Sequence, residues 1–268
     1  MELIYTLLLV VAMLGSAGAG LWIRHRIDDR HLSTQSVESI RLLMGMLLTF
    51  AALVLGLLTS NAKQRFDLLN DTVSAFAADL IELDRKLVMY GAGAEGARFL
   101  LRQYTAAALA DTWPQETAPA GDYPRFKRAG VEIGIEGVNL GAMLNRVDIA
   151  ISQLSATDEF HRQVAASLRT RAEAAIAERW HLIFQAQSTI AWPFLLILTT
   201  WLCIIFAIFG MTSPPSRVVY VVVALSALSI ASPLYLIIDY SDSLSGTIAL
   251  SSAPLRAALA HMDASVAP

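Results

Sequence analysis

The chain has 268 residues, of which 55% are hydrophobic and only 16% are charged, and its formal net charge is −3. Soluble domains usually carry about 25% charged residues, so this composition excludes an ordinary water-soluble fold. The slightly negative charge excludes the basic surface that nucleic-acid binding requires, and the single cysteine, Cys203, excludes an internal disulfide.

Four apolar stretches account for the composition, at residues 3–23, 42–59, 190–211 and 218–238. Each has the length, or nearly the length, that a helix needs to cross the hydrocarbon core of a bilayer. One sizeable polar block lies between the second and the third stretch. The pattern predicts an all-α membrane protein with four transmembrane helices and a helical extramembrane domain between the second and third.

The predicted domains follow from these stretches. A first transmembrane hairpin covers residues 1–60, the extramembrane domain 61–187, a second hairpin 188–240, and a C-terminal tail 241–268. The small residues at 16–20 offer a signal-peptide cleavage site. However, the segment before them carries Glu2 and no basic residue, and the apolar run continues to Ile23. We therefore predict that the first span is retained.

The second span continues into a polar helix with a heptad pattern. Apolar residues separated alternately by three and four positions form a row that we name the heptad seam: Phe66, Leu69, Val73, Phe76, Leu80, Leu83, Leu87 and Tyr90. Counted backwards, the same register contains Ala62, Thr59, Leu55, Ala52, Leu48 and Gly45. It predicts one helix over residues 42–90 that packs on other helices, either within one subunit or between subunits.

The rest of the polar block also shows helical spacing. The helix over 42–90 ends at a glycine-rich turn, residues 91–96, and a second helix follows over 97–112. Residues 113–130 hold three prolines and predict an irregular segment. Helical spacing resumes over 140–154. Thr157 is the predicted N-cap of a last helix over 158–187, which is predicted to bury Phe160, Val164, Leu168 and Ile176, then Trp180 and Ile183 near the membrane. The spacing of Trp180 and Trp192 suits a membrane–water interface.

Motifs of enzymes and of metal sites are missing from the sequence. The turn at 91–96 matches G-x-G-x-x-G, but a helix precedes it where a dinucleotide site needs a strand. The five histidines have no spacing typical of metal ligands, and no nucleophile elbow, P-loop or zinc-protease motif occurs. The sequence therefore predicts no enzyme, no catalytic residue, no cofactor and no metal.

Polar residues at the end of the second span suggest a different kind of site. Thr59, Ser60 and Asn61 lie on or beside the backward extension of the seam. If this helix surrounds the axis of an oligomer, they form rings of hydroxyls and amides that replace part of an ion's hydration shell. Lys63 and Arg65 follow at the predicted pore mouth, where they raise the local anion concentration. The alternative is that the three polar residues only cap the span or bond across helices.

The side of the membrane on which residues 61–187 lie stays open. Arg24, Arg26 and Arg30 in the first loop favour a cytoplasmic loop, and hence an extracytoplasmic domain, by the positive-inside rule. Lys63, Arg65 and further basic residues in the polar block favour the opposite side, although long loops carry less weight in that rule.

A set of short motifs gives the chain a family resemblance over essentially its whole length. The motifs are GLLTSNAK at 56–63 with Phe66, Asp67 and Asn70, LDR at 83–85, YG at 90–91, WP at 113–114, RW at 179–180, WPFL at 192–195, FG at 209–210 and SSAPLR at 251–256. In this order and spacing, the chain resembles the bestrophin-like family of bacterial membrane proteins. One departure is at 241–246, where Ser241, Ser243 and Leu244 replace the aspartate, proline and phenylalanine of the family's pattern.

The resemblance carries functional expectations. Bestrophins are oligomeric anion channels with four spans per subunit, a second helix along the axis and a cytosolic helical domain. It therefore implies a multi-pass protein of the bacterial inner membrane, with the lipid bilayer, inorganic ions and further copies of the chain as partners. The alternative is a non-conducting scaffold or sensor whose long heptad helix transmits packing changes to a partner.

Overall fold

The computed structural model describes residues 2–26, 34–126, 137–156, 158–186, 192–214, 216–241 and 249–265. These residues form helices and irregular segments and contain no strand, which confirms the all-α prediction. The helices are α1 (Glu2–Arg26), α2 (Thr34–Tyr90), α3 (Glu95–Thr112), α4 (Val138–Ser152), α5 (Glu159–Ala186), α6 (Trp192–Thr212), α7 (Arg217–Ser241) and α8 (Ala253–Ala264). One turn of 3₁₀-helix, Ala92–Ala94, lies between α2 and α3.

The chain forms two compact units. Unit 1 consists of Met1–Phe66 and Thr189–Ala249, and unit 2 of Asp67–Ser188 and Leu250–Pro268. Helix α2 contributes its first part to unit 1 and its last part to unit 2. The predicted C-terminal tail contains α8, which belongs to unit 2.

Unit 1 carries four helices that are long and apolar enough to cross a membrane, judged by length and composition: α1, α2, α6 and α7. Large apolar side chains point outward along each of them. Leu8 on α1 is 62% exposed, Leu53 on α2 is 60% exposed and Leu196 on α6 is 68% exposed. Soluble proteins rarely expose apolar surface on this scale. The outer surface of unit 1 is therefore suited to hydrocarbon rather than to water.

Helices α1 and α6 approach each other closely at two glycines. A Cβ atom on Gly20 would lie 2.0 Å from the carbonyl oxygen of Ala207, and one on Gly210 would lie 2.2 Å from that of Ala17. Neither distance is possible for a real Cβ, so only glycine fits at these two positions. Small residues favour close helix packing in membranes because van der Waals contact drives association there. Two of the small residues at 16–20, Ala17 and Gly20, thus serve helix packing.

The last turn of α1 lies beside the last turn of α6. The guanidinium of Arg24 donates to the backbone oxygens of Met211 and Ser213, at 3.5 and 3.0 Å. The last carbonyls of a helix lack partners within the helix and carry partial negative charge, so a cation stabilises them. Arg24, an orientation signal in the sequence, also joins two helix ends.

Helix α2 leaves unit 1 beside the end of α7. The rings of Phe66 and Tyr240 lie 5.2 Å apart. Residues 213–216 alone join α6 to α7, so α7 begins where α6 ends. Because α7 has 25 residues, with Pro233 inside it, its length along the helix is about 37 Å. Along α7, the point where α2 and α7 leave unit 1 is therefore separated from the Arg24 end by more than the roughly 30 Å of a hydrocarbon core.

The heptad seam forms the centre of unit 2. Phe76, Leu80 and Leu83 are completely buried, and the remaining seam residues from Leu69 to Tyr90 are at most 5% exposed. The ring of Phe76 meets that of Tyr104 on α3 edge to face, with centroids 6.3 Å apart. Of the two predicted alternatives, this part of the seam therefore packs within one subunit and not between subunits.

The predicted ends of the helices in unit 2 agree with the structure where it describes them. Helix α2 ends at Gly91, whose φ of +88° suits a residue without a side chain. Residues 113–126 are irregular, as predicted, and Leu140, Met143, Leu144, Val147 and Ile151 are the buried face of α4. Thr157, the predicted N-cap, and residues 127–130 lie outside the described residues.

The predicted buried face of α5 is wrong at two aromatic positions. Val164, Leu168 and Ile183 are buried, but Phe160 is 52% and Trp180 is 49% exposed. The buried face continues through Ala172 and Ala175 to Arg179, which is only 5% exposed. Trp180 follows Arg179 by one residue and so lies about 100° around the helix from it. Hydrophobicity favoured the tryptophan at the core, whereas helix geometry placed the arginine there.

Candidate ion pathway

The first part of α2 packs on unit 1 with one face and leaves the other uncovered. The packed face consists of Met44, Leu47, Ala51, Val54, Leu55, Leu58 and Ala62, which join the core of unit 1. A neighbouring face forms what we name the open strip: Gly45, Leu48, Thr49, Ala52, Gly56 and Ser60, all exposed. In the apolar part of the helix the packed face is therefore rotated from the predicted register, in which Gly45, Leu48 and Ala52 were seam positions.

The open strip is built mostly from small residues. A Cβ atom added to Gly45 or to Gly56 would meet nothing within 4 Å. The hydroxyl of Thr49 donates to the carbonyl oxygen of Gly45 in its own helix, at 2.9 Å. Nothing in the described part of the chain covers this face, which is free to border a pathway or a second copy of the protein.

The three predicted pore-lining residues differ in exposure. Ser60 and Asn61 are exposed, whereas Thr59 is half-buried. The hydroxyl of Thr59 donates to the carbonyl oxygen of Leu55 at 2.8 Å. Its hydrogen is therefore engaged in the helix, and its oxygen keeps acceptor capacity only. Ser60 and Asn61 present both donors and acceptors outward, so they are better suited than Thr59 to contact an anion.

The two predicted pore-mouth cations are both exposed but lie on different sides of α2. Lys63 lies three residues after Ser60 and seven after Gly56, which places it in line with the open strip. Arg65 lies four residues after Asn61 and seven after Leu58, so Arg65 and Asn61 lie away from the strip, in line with the packed face. The end of the strip therefore changes from small residues to the hydroxyl of Ser60 and then to the positive charge of Lys63.

Sequence reasoning missed a buried carboxylate near this end of unit 1. Asp239 lies in the last turn of α7 and is completely buried. The hydroxyl of Tyr235 donates to it at 3.4 Å. Its neighbour in the chain, Tyr240, contacts Phe66 of α2. The predicted fourth span ended one residue before Asp239, and the length of α7 is what includes it.

Unit 2 contains a groove of about 620 Å³ between α3 and α8. It is lined by Asp84, Glu95, Arg98, Phe99, Arg102, Met262, Asp263 and Ser265. The Nε of Arg98 donates to the buried carboxylate of Asp84 at 2.8 Å, and Arg102 pairs with Asp263. Both guanidiniums are thus engaged by carboxylates of the chain itself. The groove is not built to hold a permeating anion.

Several residues that carry the family resemblance hold α8 and the segment before it. The indole nitrogen of Trp113 donates to the backbone oxygen of Leu250 at 2.7 Å. The carboxylate of Glu116 accepts from the hydroxyl of Ser252 and from Arg256, at 2.5 and 2.7 Å. These hydrogen bonds, the Ser252 hydroxyl foremost, lower the pKa of Glu116 below its ordinary value. The WP motif at 113–114 and the SSAPLR motif at 251–256 therefore have a structural role in unit 2.

Buried polar groups in the interior of unit 2 also have a structural role. The guanidinium of Arg179 donates to the backbone oxygen of Gly137 at 3.0 Å. A Cβ atom on Gly141 would lie only 3.2 Å from the Nη1 atom of Arg179. Complete burial raises the pKa of Tyr104 above its ordinary value, and the nearby Arg179 offsets part of that increase. The described residues include no group of three or more His, Cys, Asp or Glu side chains that could hold a metal ion.

Comparison with solved structures identifies the fold. A bacterial bestrophin homologue from Klebsiella pneumoniae, solved as a single-residue variant, has a TM-score of 0.67 at 12% identity, with 100% of this chain and 99% of that chain covered. Another variant of that homologue has a TM-score of 0.64 at 13% identity, with 100% of both chains covered. At these identities the likeness concerns the fold alone.

A structure described only as a membrane protein has a TM-score of 0.64 at 11% identity, covering 100% of this chain and 99% of that chain. A search of proteins with curated functions finds no match. The comparison of the sequence with protein-family profiles is decisive, because the Bestrophin-like domain matches residues 11–255. The resemblance inferred from the short motifs is thereby confirmed, and the chain belongs to the bestrophin-like family.

Proposed function

We propose that the protein is the subunit of a homo-oligomeric, passive, anion-preferring ion channel in the bacterial inner membrane, with α2 lining the pathway. The observation that carries this proposal is the open strip of α2, which is uncovered in the subunit and ends in exposed Ser60 and Lys63. Asn61 and Arg65 are exposed at the same level of the helix but on another side of it. Membership of the bestrophin-like family adds to it, because bestrophins are oligomeric anion channels with the second helix along the axis.

The proposed topology has four spans, with residues 61–187 outside the membrane. Two observations support it. The point where α2 and α7 leave unit 1 is about 37 Å, along α7, from the end of α6. The heptad seam beyond Phe66 packs inside a unit with many charged surface residues. Both segments that leave the spans there, after α2 and after α7, then lie on one side of the membrane.

In this channel, exposed polar groups of several subunits replace part of the hydration shell of a passing anion. Ser60 and Asn61 supply hydroxyl and amide donors, and Thr59 borders them. Lys63 and Arg65 raise the anion concentration at the mouth, by a Coulomb effect that acts over about one Debye length, roughly 10 Å at 0.1 M salt. The donors of Ser60 and Lys63 favour anions over cations at this end of the strip, and the exposed carboxylate of Asp67 follows four residues beyond Lys63 on the same face.

The experiment is chloride or bromide flux from liposomes that contain the purified full-length protein. Asn61→Ala and Thr59→Leu are compared with Asn145→Ala and Thr200→Leu. Asn145 is exposed in unit 2, and Thr200 on α6 is exposed with its hydroxyl bonded to its own helix at 2.8 Å, as in Thr59. We expect the first pair to change flux and the control pair to leave it unchanged.

The charged mouth is tested by the double variant Lys63→Gln, Arg65→Gln. We expect its anion flux to fall at low ionic strength and to approach that of the wild-type protein at high ionic strength, because salt screens exposed charges. Flux that all these substitutions leave unchanged would place the pathway away from α2. An oligomer without flux above empty liposomes, over a range of pH and calcium concentration, would refute the channel.

The alternative, a non-conducting scaffold or sensor, also has a specific observation in its favour. The heptad seam from Leu69 to Tyr90 is buried inside unit 2, so it packs within one subunit. In this alternative, α2, whose first part belongs to unit 1 and last part to unit 2, transmits packing changes to a partner. Absence of flux, together with a protein partner captured through unit 2, would favour this alternative.

A further inference from the structure

A pair of exposed aromatic side chains lies at the end of α5. The rings of Trp180 and Phe184 stack with centroids 5.9 Å apart and planes inclined by 28°. Trp180 is 49% exposed and Phe184 is 66% exposed. Two large aromatic rings beside each other on a water-exposed surface are unfavourable, because their apolar area stays hydrated. Some other phase or molecule is therefore expected to cover them.

The pair ends a row of exposed residues whose polarity changes along the helix. Thr170, Glu173, Ala177, Trp180 and Phe184 are all exposed and are separated alternately by three and four positions, so they share one face of α5. The row begins with a hydroxyl and a carboxylate and ends with two aromatic rings. A polarity gradient along the helix axis is the pattern expected of a helix that passes from water into the boundary of a bilayer.

The position of the pair in the chain points to the same boundary. Residues 187–191 alone separate α5 from α6, one of the helices apolar enough to cross a membrane. Six Cα–Cα steps span at most about 23 Å, so the chain enters the α6 span after only a short link. Phe194 and Leu196, in the first two turns of α6, are 55% and 68% exposed.

We propose that Trp180 and Phe184 anchor the end of α5 in the headgroup region of the lipid bilayer. The indole offers a large apolar surface and one N–H donor, a combination that is enriched at membrane–water interfaces. The buried Arg179 fixes the adjacent backbone through Gly137, and its guanidinium lies 5.8 Å from the indole ring of Trp180. The anchor is thus held by the interior of unit 2 and presented outward on its surface.

Spin labelling of the full chain in phosphatidylcholine liposomes tests this proposal. In a Cys203→Ser background, which removes the chain's single cysteine, labels are placed by Phe184→Cys, Thr170→Cys and Leu196→Cys. Collision rates are measured with oxygen, which concentrates in lipid, and with a water-soluble nickel chelate. We expect the label at 184 to fall between the water-exposed label at 170 and the lipid-exposed label at 196.

Two results would overturn the proposal. A label at 184 with the same collision rates as the label at 170 would show that the pair faces water. A label shielded from both reagents would show that a protein surface, such as a second copy of the chain, covers it. Neither result depends on ion flux, so failure of this proposal and failure of the channel proposal are distinguishable.

A second measurement uses the native aromatic side chain, in case labelling at 184 prevents folding. The difference in fluorescence between the wild-type protein and Trp180→Phe is the emission of Trp180. In liposomes of lipids brominated near the headgroup end of the chains, this emission should be strongly quenched, and less so with bromine near the chain ends. An unquenched difference spectrum would contradict the proposal.

Discussion

The two parts of helix α2 use the same residue spacing for different purposes. In unit 2, the heptad seam from Leu69 to Tyr90 is at most 5% exposed and forms the core. In unit 1, the backward extension of that register is uncovered at Gly45, Leu48 and Ala52, and the packed face lies beside it. A single apolar periodicity therefore marks a buried face in one part of the helix and an open strip in the other.

The difference follows from the surroundings of each part. In water, burial of Leu and Phe provides the main driving force for packing, so the largest apolar residues define the inner face. In hydrocarbon, an apolar side chain gains little from burial, and close contact between small residues decides which faces meet. In unit 1 the close contact is that between α1 and α6 at Gly20 and Gly210.

The largest expected effect is the loss of a seam leucine in unit 2. Leu80→Ala should lower the free energy of unfolding by about 2–5 kcal/mol, because it leaves a cavity in a core that is completely buried there. Leu68→Ala on the same helix is the control, since Leu68 is 54% exposed. Thermal unfolding in detergent measures both. Equal losses would mean that another chain covers the outer side of α2.

The buried carboxylate at the end of the seam should have the next largest effect. Asp84→Asn should destabilise unit 2 by about 1.5–3 kcal/mol, because it weakens charge-assisted hydrogen bonds from Arg98 and Ser265. Asp71→Asn, at an exposed position of α2, should change stability by less than about 0.5 kcal/mol. Limited proteolysis should also release α8 faster from the Asp84 variant. Unchanged proteolysis would show that α8 is held without this pair.

Two glycines of α1, Gly18 and Gly20, differ in how closely another helix approaches them. Gly20→Ala should destabilise the protein by about 1–3 kcal/mol, because its methyl group overlaps the Ala207 carbonyl and the helices must move apart. Gly18→Ala, two residues earlier with nothing within 4 Å, should be neutral or stabilising. Thermal unfolding of the two variants in one detergent is the measurement. A tolerated Gly20→Ala would exclude the close approach of α1 and α6.

The smallest effect, and the one most informative about α2, concerns the open strip. Gly56→Ala should stabilise the helix by up to about 1 kcal/mol, because alanine is the better helix former and its methyl group meets nothing in the subunit. Thermal unfolding and the size of the oligomer in detergent are measured together. Destabilisation with loss of the oligomer would instead show that Gly56 lies in a close contact between subunits.

The sequence by itself determined the helical architecture. Apolar length identified the four candidate spans, because a helix that crosses hydrocarbon needs about 20 apolar residues. Glycine and proline determined where α2 ends and where residues 113–126 leave helical structure. The short motifs identified the family, and the heptad seam predicted the core of unit 2. These features depend on local propensity and on hydrophobicity, which the order of residues carries directly.

Only the tertiary structure decided which faces meet. It rotated the packed face of α2 in unit 1 away from the predicted register, and it buried Arg179 while leaving Trp180 exposed. It also joined α8 to distant parts of the chain. The hydroxyl of Ser265, just after α8, donates to Asp84 of α2, which pairs with Arg98 of α3. Such choices depend on the shape and polarity of neighbouring helices. A hydrophobic pattern along one helix contains neither, because it records which residues are apolar and not what lies opposite them.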